Sequence, residues 1–234
     1  LHFAASIHNN DNVLRLLIER GADVNATDHH QCQPVDIAEG EANLRCLLEA
    51  GADPERALVA AAACRLVDIV NELIDGDVNV EACSGGSHWS ALMNATFAYS
   101  TVLVSRLLVY GADVNACNNR FRRNALYVAV EGGFDALCAQ LLACGADVNA
   151  ACLDGAVPLY VALRDGRYKI LPFLLAAGAD IHARANNGRL KIWLHAQAQR
   201  RTIQRLLVAA GALYLSIDVV HGFVDADDCN VTLK

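Results

Sequence analysis

Seven short stretches of this chain repeat one pattern of apolar and polar positions: 13–18, 44–48, 69–74, 102–108, 137–142, 170–175 and 203–208. In each, Leu, Ile and Val recur at i, i+3 and i+4, laying one apolar stripe along an amphipathic helix. A glycine closes every stretch. Glycine adopts the left-handed conformation after a helix without steric penalty, so each stretch reads as a helix with a glycine C-cap and a polar loop beyond it. A shorter apolar segment precedes each one, and the recurring unit is loop, short first helix, turn, second helix.

The capping phrase is itself repeated. G-A-D-V-N-A occurs at 21–26, 111–116 and 145–150, with weaker copies at Gly51-Ala52-Asp53-Pro54, Gly76-Asp77-Val78-Asn79, Gly178-Ala179-Asp180-Ile181-His182 and Gly211-Ala212-Leu213. The spacings are 30, 25, 35, 34, 33 and 33 residues. A period near 33 predicts stacked units that each pack only on their neighbours. The chain divides at about 1–20, 21–50, 51–75, 76–110, 111–144, 145–177 and 178–210, and 211–234 starts an incomplete terminal unit or C-terminal extension. The opening Leu1-His2-Phe3-Ala4-Ala5 reads as the middle of a first helix, so further chain is expected upstream.

The phrase, the period and the two-helix unit resemble the ankyrin repeat over essentially the whole chain. The resemblance implies an all-α solenoid of stacked helix-turn-helix units with short hairpin or loop fingers. The family's T-P-L-H motif survives in part, at Leu1-His2, Gln33-Pro34-Val35-Asp36, Ser90-Ala91-Leu92-Met93, Asn124-Ala125-Leu126-Tyr127 and Val157-Pro158-Leu159-Tyr160. Because the motif's Thr and His tie the helix start to its surroundings, units less rigid than the consensus are expected. The third unit runs directly from Asp53-Pro54 into an apolar segment and should leave a notch in the row of fingers. Pro172 falls inside a second helix, which should start late or bend.

Composition narrows the function. Hydrophobic residues make up 54% and aromatics 6%, suiting thin layers of Leu, Val and Ala. The longest apolar runs, such as 57–64, are shorter than the roughly 18–20 residues a spanning helix needs, and no secretory signal is visible. Nine cysteines, an odd number with no C-x-x-C pair, point to a reducing compartment, cytoplasmic or nuclear, rather than a disulfide framework. Cys83, Cys117 and Cys152 recur in step, but neighbouring units are spaced too widely for a disulfide ladder. Phosphate-loop, dinucleotide, nucleophile-elbow and zinc-protease motifs are all missing, so no catalytic residue, cofactor or metal is assigned. His29, His30 and Cys32 offer too few ligands for zinc and read as a polar finger tip.

The Asn after Asp-Val, at Asn25, Asn79, Asn115 and Asn149, satisfies the backbone of a tight loop. The resemblance also implies that such an Asn can be hydroxylated where Leu stands eight residues earlier. Leu17, Leu107 and Leu141 meet that condition for Asn25, Asn115 and Asn149, whereas Asn71 occupies the place for Asn79.

The resemblance further implies partner binding on a concave face of finger tips and first helices. Anchored on each glycine, that face comprises His29, His30 and Gln31; Ser87, His88 and Trp89; Asn119, Arg120, Phe121, Arg122 and Arg123; Leu153 and Asp154; and Asn186, Asn187 and Arg189. Phe97, Glu131, Arg164 and Asp165 join it from first helices. Trp89 and Phe121 are the candidate anchors, with folding back onto a neighbouring finger as the alternative. Residues 1–117 carry net −10 and residues 118–234 net +3, a polarity that would orient a partner. The acidic whole lacks a continuous basic stripe, disfavouring nucleic acid. The expectation is a monomeric, non-enzymatic scaffold for a partner protein. A ubiquitin-ligase substrate receptor, or an array attached to a catalytic domain beyond this chain, is the alternative.

Overall fold

The computed structural model describes residues 1–85, 88–118, 120–181 and 183. They form α1 (His2–Ala5), α2 (Asp11–Glu19), a 3-10 helix (Pro34–Ile37), α3 (Glu41–Glu49), α4 (Pro54–Ala63), α5 (Val67–Asp75), α6 (Ala91–Phe97), α7 (Thr101–Val109), α8 (Ala125–Gly132), α9 (Asp135–Ala143), α10 (Pro158–Arg164) and α11 (Leu171–Ala176). No strand occurs among the described residues, which form an all-α stack of six helix pairs, one of them pairing the 3-10 helix with α3. The seventh apolar stretch (203–208), the terminal unit (211–234) and the ninth cysteine, Cys229, lie outside the described residues.

First helices stack on one side, α4 on α6, α6 on α8 and α8 on α10, while α2 packs on α3 and α5 on α7. Each layer is a thin apolar seam. Leu14, Leu44, Leu47, Leu58, Leu103, Leu107, Leu126, Leu137, Leu141 and Leu159 are fully buried in it. Burial of one such side chain stabilises by roughly 1.5–3 kcal/mol, so the second-helix leucines carry much of the stack.

The lost T-P-L-H residues are partly replaced. Ser90 Oγ accepts the Met93 N–H and Asn124 Oδ1 accepts the Tyr127 N–H, so α6 and α8 keep the side-chain N-cap that Thr would supply. Gln33 and Val157 make no such cap, and there Pro34 and Pro158 follow, placing a residue without an N–H in the first turn. His2 keeps the motif's histidine role, its Nε2 lying 2.8 Å from the Cys32 carbonyl of the next unit.

At one copy the register differs from the sequence reading. Gly21, Gly51, Gly111, Gly145 and Gly178 take the left-handed position after their helices, but Gly76 has φ −82° and Asp77, at φ +61°, takes it instead. The phrase there is Asp77-Val78-Asn79-Val80-Glu81-Ala82. Asn79 therefore stands where other units have Asp, accepting the Glu81 N–H as Asp23 accepts that of Asn25, and Glu81 stands where they have Asn.

The fingerless third unit leaves no notch between its neighbours. The fourth finger closes over it, so near the second that a Cβ on Gly85 would collide with the Gln31 carbonyl oxygen. Arg56 of α4 fills the seam, donating to that carbonyl at 3.2 Å and to the Asp36 carboxylate, whose side chain is 2% exposed. α11 starts late. Pro172 cannot donate to the Tyr168 carbonyl, and Ile170 and Leu171 instead donate to Arg167 and Tyr168 in tight three-residue turns.

Candidate functional site: the finger face

Four fingers are described, and each closes with one backbone pair. Asp28 N–H donates to the Cys32 carbonyl, Ser84 to Trp89, Asn118 to Arg123 and Cys152 to Ala156. The fourth and fifth fingers are one residue longer than the other two. In all four, the residue before the closing one is left-handed: Gln31 (φ +63°), His88 (φ +53°), Arg122 (φ +52°) and Gly155 (φ +77°). Only one of these is glycine. Three fingers thus hold a polar side chain at a position that strains any residue with a Cβ.

In the fourth and fifth units the residue that closes the finger meets a residue at the end of the following first helix, eight positions on. In the fourth unit the two are Trp89 and Phe97, whose rings meet edge to face with centroids 5.5 Å apart and planes at 84°. In the fifth they are Arg123 and Glu131, an ion pair at 3.3 Å. In the sixth Ala156 offers nothing, and Arg164 turns to Asp165 at 2.7 Å and Glu131 at 3.9 Å. Arg167 donates twice to the Glu131 carbonyl, at 3.2 and 2.9 Å. The Arg164 guanidinium holds the Asp165 carboxyl below its ordinary range.

Trp89 is half-buried against Phe97, which is 66% exposed. Phe121 stays on the surface, 44% exposed, with the guanidiniums of Arg120 and Arg123 at 5.1 and 5.4 Å from its ring centre. Its carbonyl accepts the Leu153 N–H at 2.9 Å, tying the fifth finger to the sixth. Arg120 and Arg122 are exposed, and among the described residues neither makes an ion pair. Arg123 also lies over the Tyr127 ring at 4.7 Å. Burial pushes the Tyr127 phenol up.

On the second finger His29, His30 and Gln31 are exposed, with the two imidazoles 3.8 Å apart. Asp28 accepts the His30 and Cys32 N–H groups, and the Cys32 contact is the larger cause holding its carboxyl below the usual range. Asp154 accepts the Cys152 thiol and the Ala156 N–H, and the thiol is the leading cause lowering its pKa. Ser87, Asn119, Asn186, Asn187 and Arg189 lie outside the described residues. No three His, Cys, Asp or Glu side chains converge as metal ligands among the described residues, where all eight cysteines are free thiols.

Asn25, Asn115 and Asn149 each join two units. Their Nδ2 atoms donate to the carbonyls of Gly51, Gly145 and Gly178 at 3.0, 3.2 and 3.2 Å. Their Oδ1 atoms accept the N–H groups of Asp53, Asp147 and Asp180 at 3.2, 2.7 and 2.7 Å. Glu81 does half of this. It accepts the Asp113 N–H at 2.8 Å but has no N–H for the Gly111 carbonyl. Sequence reasoning missed Glu81, although Leu73 eight residues earlier marks it as the counterpart of Asn25, Asn115 and Asn149. It also missed Arg56 and the eight-residue pairing between finger and helix.

The helix pairs, glycine-capped loops and paired fingers define a repeat array. Residues 92–185 match the family model for ankyrin repeats in three copies, and residues 1–29 match that for a single ankyrin repeat. The chain belongs to the ankyrin-repeat family, whose members are generally protein–protein interaction modules and typically non-enzymatic. No curated protein matches it. No helix among the described residues is long and apolar enough to cross a membrane.

Proposed function

We propose that the chain is a scaffold that binds a partner protein on its finger face, centred on the fourth to sixth units. The observation that carries this reading is Phe121. An aromatic ring on a polar finger, flanked by two guanidiniums and anchored through its carbonyl to the next finger, costs burial energy unless a partner covers it. Trp89 and Phe97 extend the apolar surface to the fourth unit. The left-handed Gln31, His88 and Arg122 support the same reading, since glycine would hold those turns with less strain.

Binding here works by preorganisation. The side chains sit on closed fingers over packed helices, so little ordering entropy is lost when a partner docks. Immobilised chain carrying Phe97→Ala and Phe121→Ala should lose specific proteins captured from extract, while Val109→Glu, on an exposed second-helix position, keeps them. Retention by the finger variant together with loss by Val109→Glu contradicts the proposal.

A further inference from the structure

We infer that the finger face recognises an extended, acidic peptide segment, with one apolar side chain against Trp89 and Phe97 and carboxylates against Arg120 and Arg122. This rests on the finger face being the binding surface and adds the chemistry of what it binds. The inference comes from how the charges are already committed. On the fifth and sixth units Glu131 is answered by Arg123 and Arg164, and Asp165 by Arg164. The Asp154 carboxylate is committed to its own finger, where it accepts the Cys152 thiol at 2.7 Å and the Ala156 N–H at 3.0 Å. Among the described residues of these two units, what is left over is positive: Arg120 and Arg122, both on the fifth finger beside Phe121.

One unit away the surface is apolar. Trp89 and Phe97 meet nearly at right angles, with Phe97 66% exposed. Apolar corner and cationic finger thus belong to successive repeats. Packed helices lie about 8–10 Å apart and an extended chain advances about 3.3 Å per residue. The apolar anchor and the first carboxylate should therefore stand about three residues apart in the partner. A basic segment would meet Arg120 and Arg122 as like charges.

The test is fluorescence anisotropy on the full chain with labelled short peptides on a Gly/Ser background. Each carries one Leu and, about three residues away in either direction, a pair of Asp, of Lys or of phosphoserine. The Asp peptide should bind at least about tenfold tighter than the Lys peptide, and Arg120→Glu with Arg122→Glu should reverse that order. Arg120→Gln with Arg122→Gln should remove the preference without reversing it, and Trp89→Ala should weaken the Asp and the Lys peptide alike, since both carry the Leu. Circular dichroism on each variant verifies the helices. Equal binding of Asp and Lys peptides, binding of the phosphoserine peptide alone, or indifference to the arginine substitutions overturns the inference. If Phe97→Ala with Phe121→Ala abolishes protein capture while the Asp peptide fails to compete with the captured protein, the finger face stands as the surface and its acidic preference falls.

Discussion

Asn115 ties two repeats together through one amide, which donates to Gly145 and accepts from Asp147. Asn79 looks identical in sequence, following Asp-Val as Asn115 does, but among the described residues its side chain accepts the Glu81 N–H of its own loop and bridges to no other unit. Asn115→Ala should therefore cost about 1–2 kcal/mol of unfolding free energy and Asn79→Ala about half that, read from urea midpoints. Equal losses would contradict the shifted register. The clue was in the chain, since the Leu-to-Asn spacing of eight fails at Asn79 and is restored at Glu81. It was obscured because Gly76 imitates the capping glycine, and backbone dihedrals rather than letters decide which residue is left-handed. Arg122 poses the opposite case. Replacing it with glycine relieves left-handed strain of about 1 kcal/mol and adds unfolded-state freedom of similar size, so Arg122→Gly should leave stability within about 0.5 kcal/mol of wild type. Partner binding should fall about tenfold, and unchanged binding in a titration would remove Arg122 from the surface.

Among the elements, the finger and helix pairs of the fourth to sixth units solve the same geometry with different chemistry. Trp89 on Phe97 is apolar, Arg123 on Glu131 is ionic, and Ala156 leaves Arg164 to other partners. Sequence reading named most of these residues but treated Trp89 and Phe121 alike, because an eight-residue pairing across a turn follows no helix or strand period. The missing third finger was plain in Asp53-Pro54, whereas its consequence was not. Closing the gap needs Gly85 to touch the Gln31 backbone and Arg56 to neutralise a buried carboxylate, both contacts between units. Arg56→Ala leaves Asp36 buried without its cation and should destabilise by about 3 kcal/mol, with Asp36→Asn in the same chain recovering part of the loss. Additive losses in thermal or urea unfolding would contradict the closure.

Across the whole molecule, charge and apolar surface change along the stack. Second helices of the first three units carry Arg15–Glu49, Arg45–Glu72 and Arg45–Glu41 pairs at 2.9, 2.9 and 2.8 Å. Those of the fourth and sixth units expose Val102, Val109 and Phe173, and that of the first exposes Val13 and Leu16 beside its arginine. The excess of acids in the first half was legible by counting, but which arginines remain uncommitted required the ion pairs. Glu72, Asp154 and Asp165 all titrate below their ordinary range, chiefly through Arg45, the Cys152 thiol and Arg164 respectively. Depressed carboxylates contribute stability that is present above their unfolded values of about 4 and lost as pH falls below them. Burial pushes the Cys138 thiol up to about 12, a contribution present below the unfolded thiol value and lost as pH rises toward the folded one. Unfolding midpoints should thus be level near neutrality, fall below about pH 4, and fall again above about pH 9, with Cys138→Ala flattening the alkaline limb. A limb unchanged in that variant would assign the alkaline loss to other groups.

On the proposed function, a partner protein covers the finger face. Its most direct measurement places a photo-crosslinking amino acid at position 121, 97 or 109 of the intact chain and irradiates it in cell extract. Crosslinked protein adducts at 121 and 97, competed by unlabelled wild-type chain and missing at 109, are the predicted result. Competed adducts at 109 with none at 121 or 97 would contradict it.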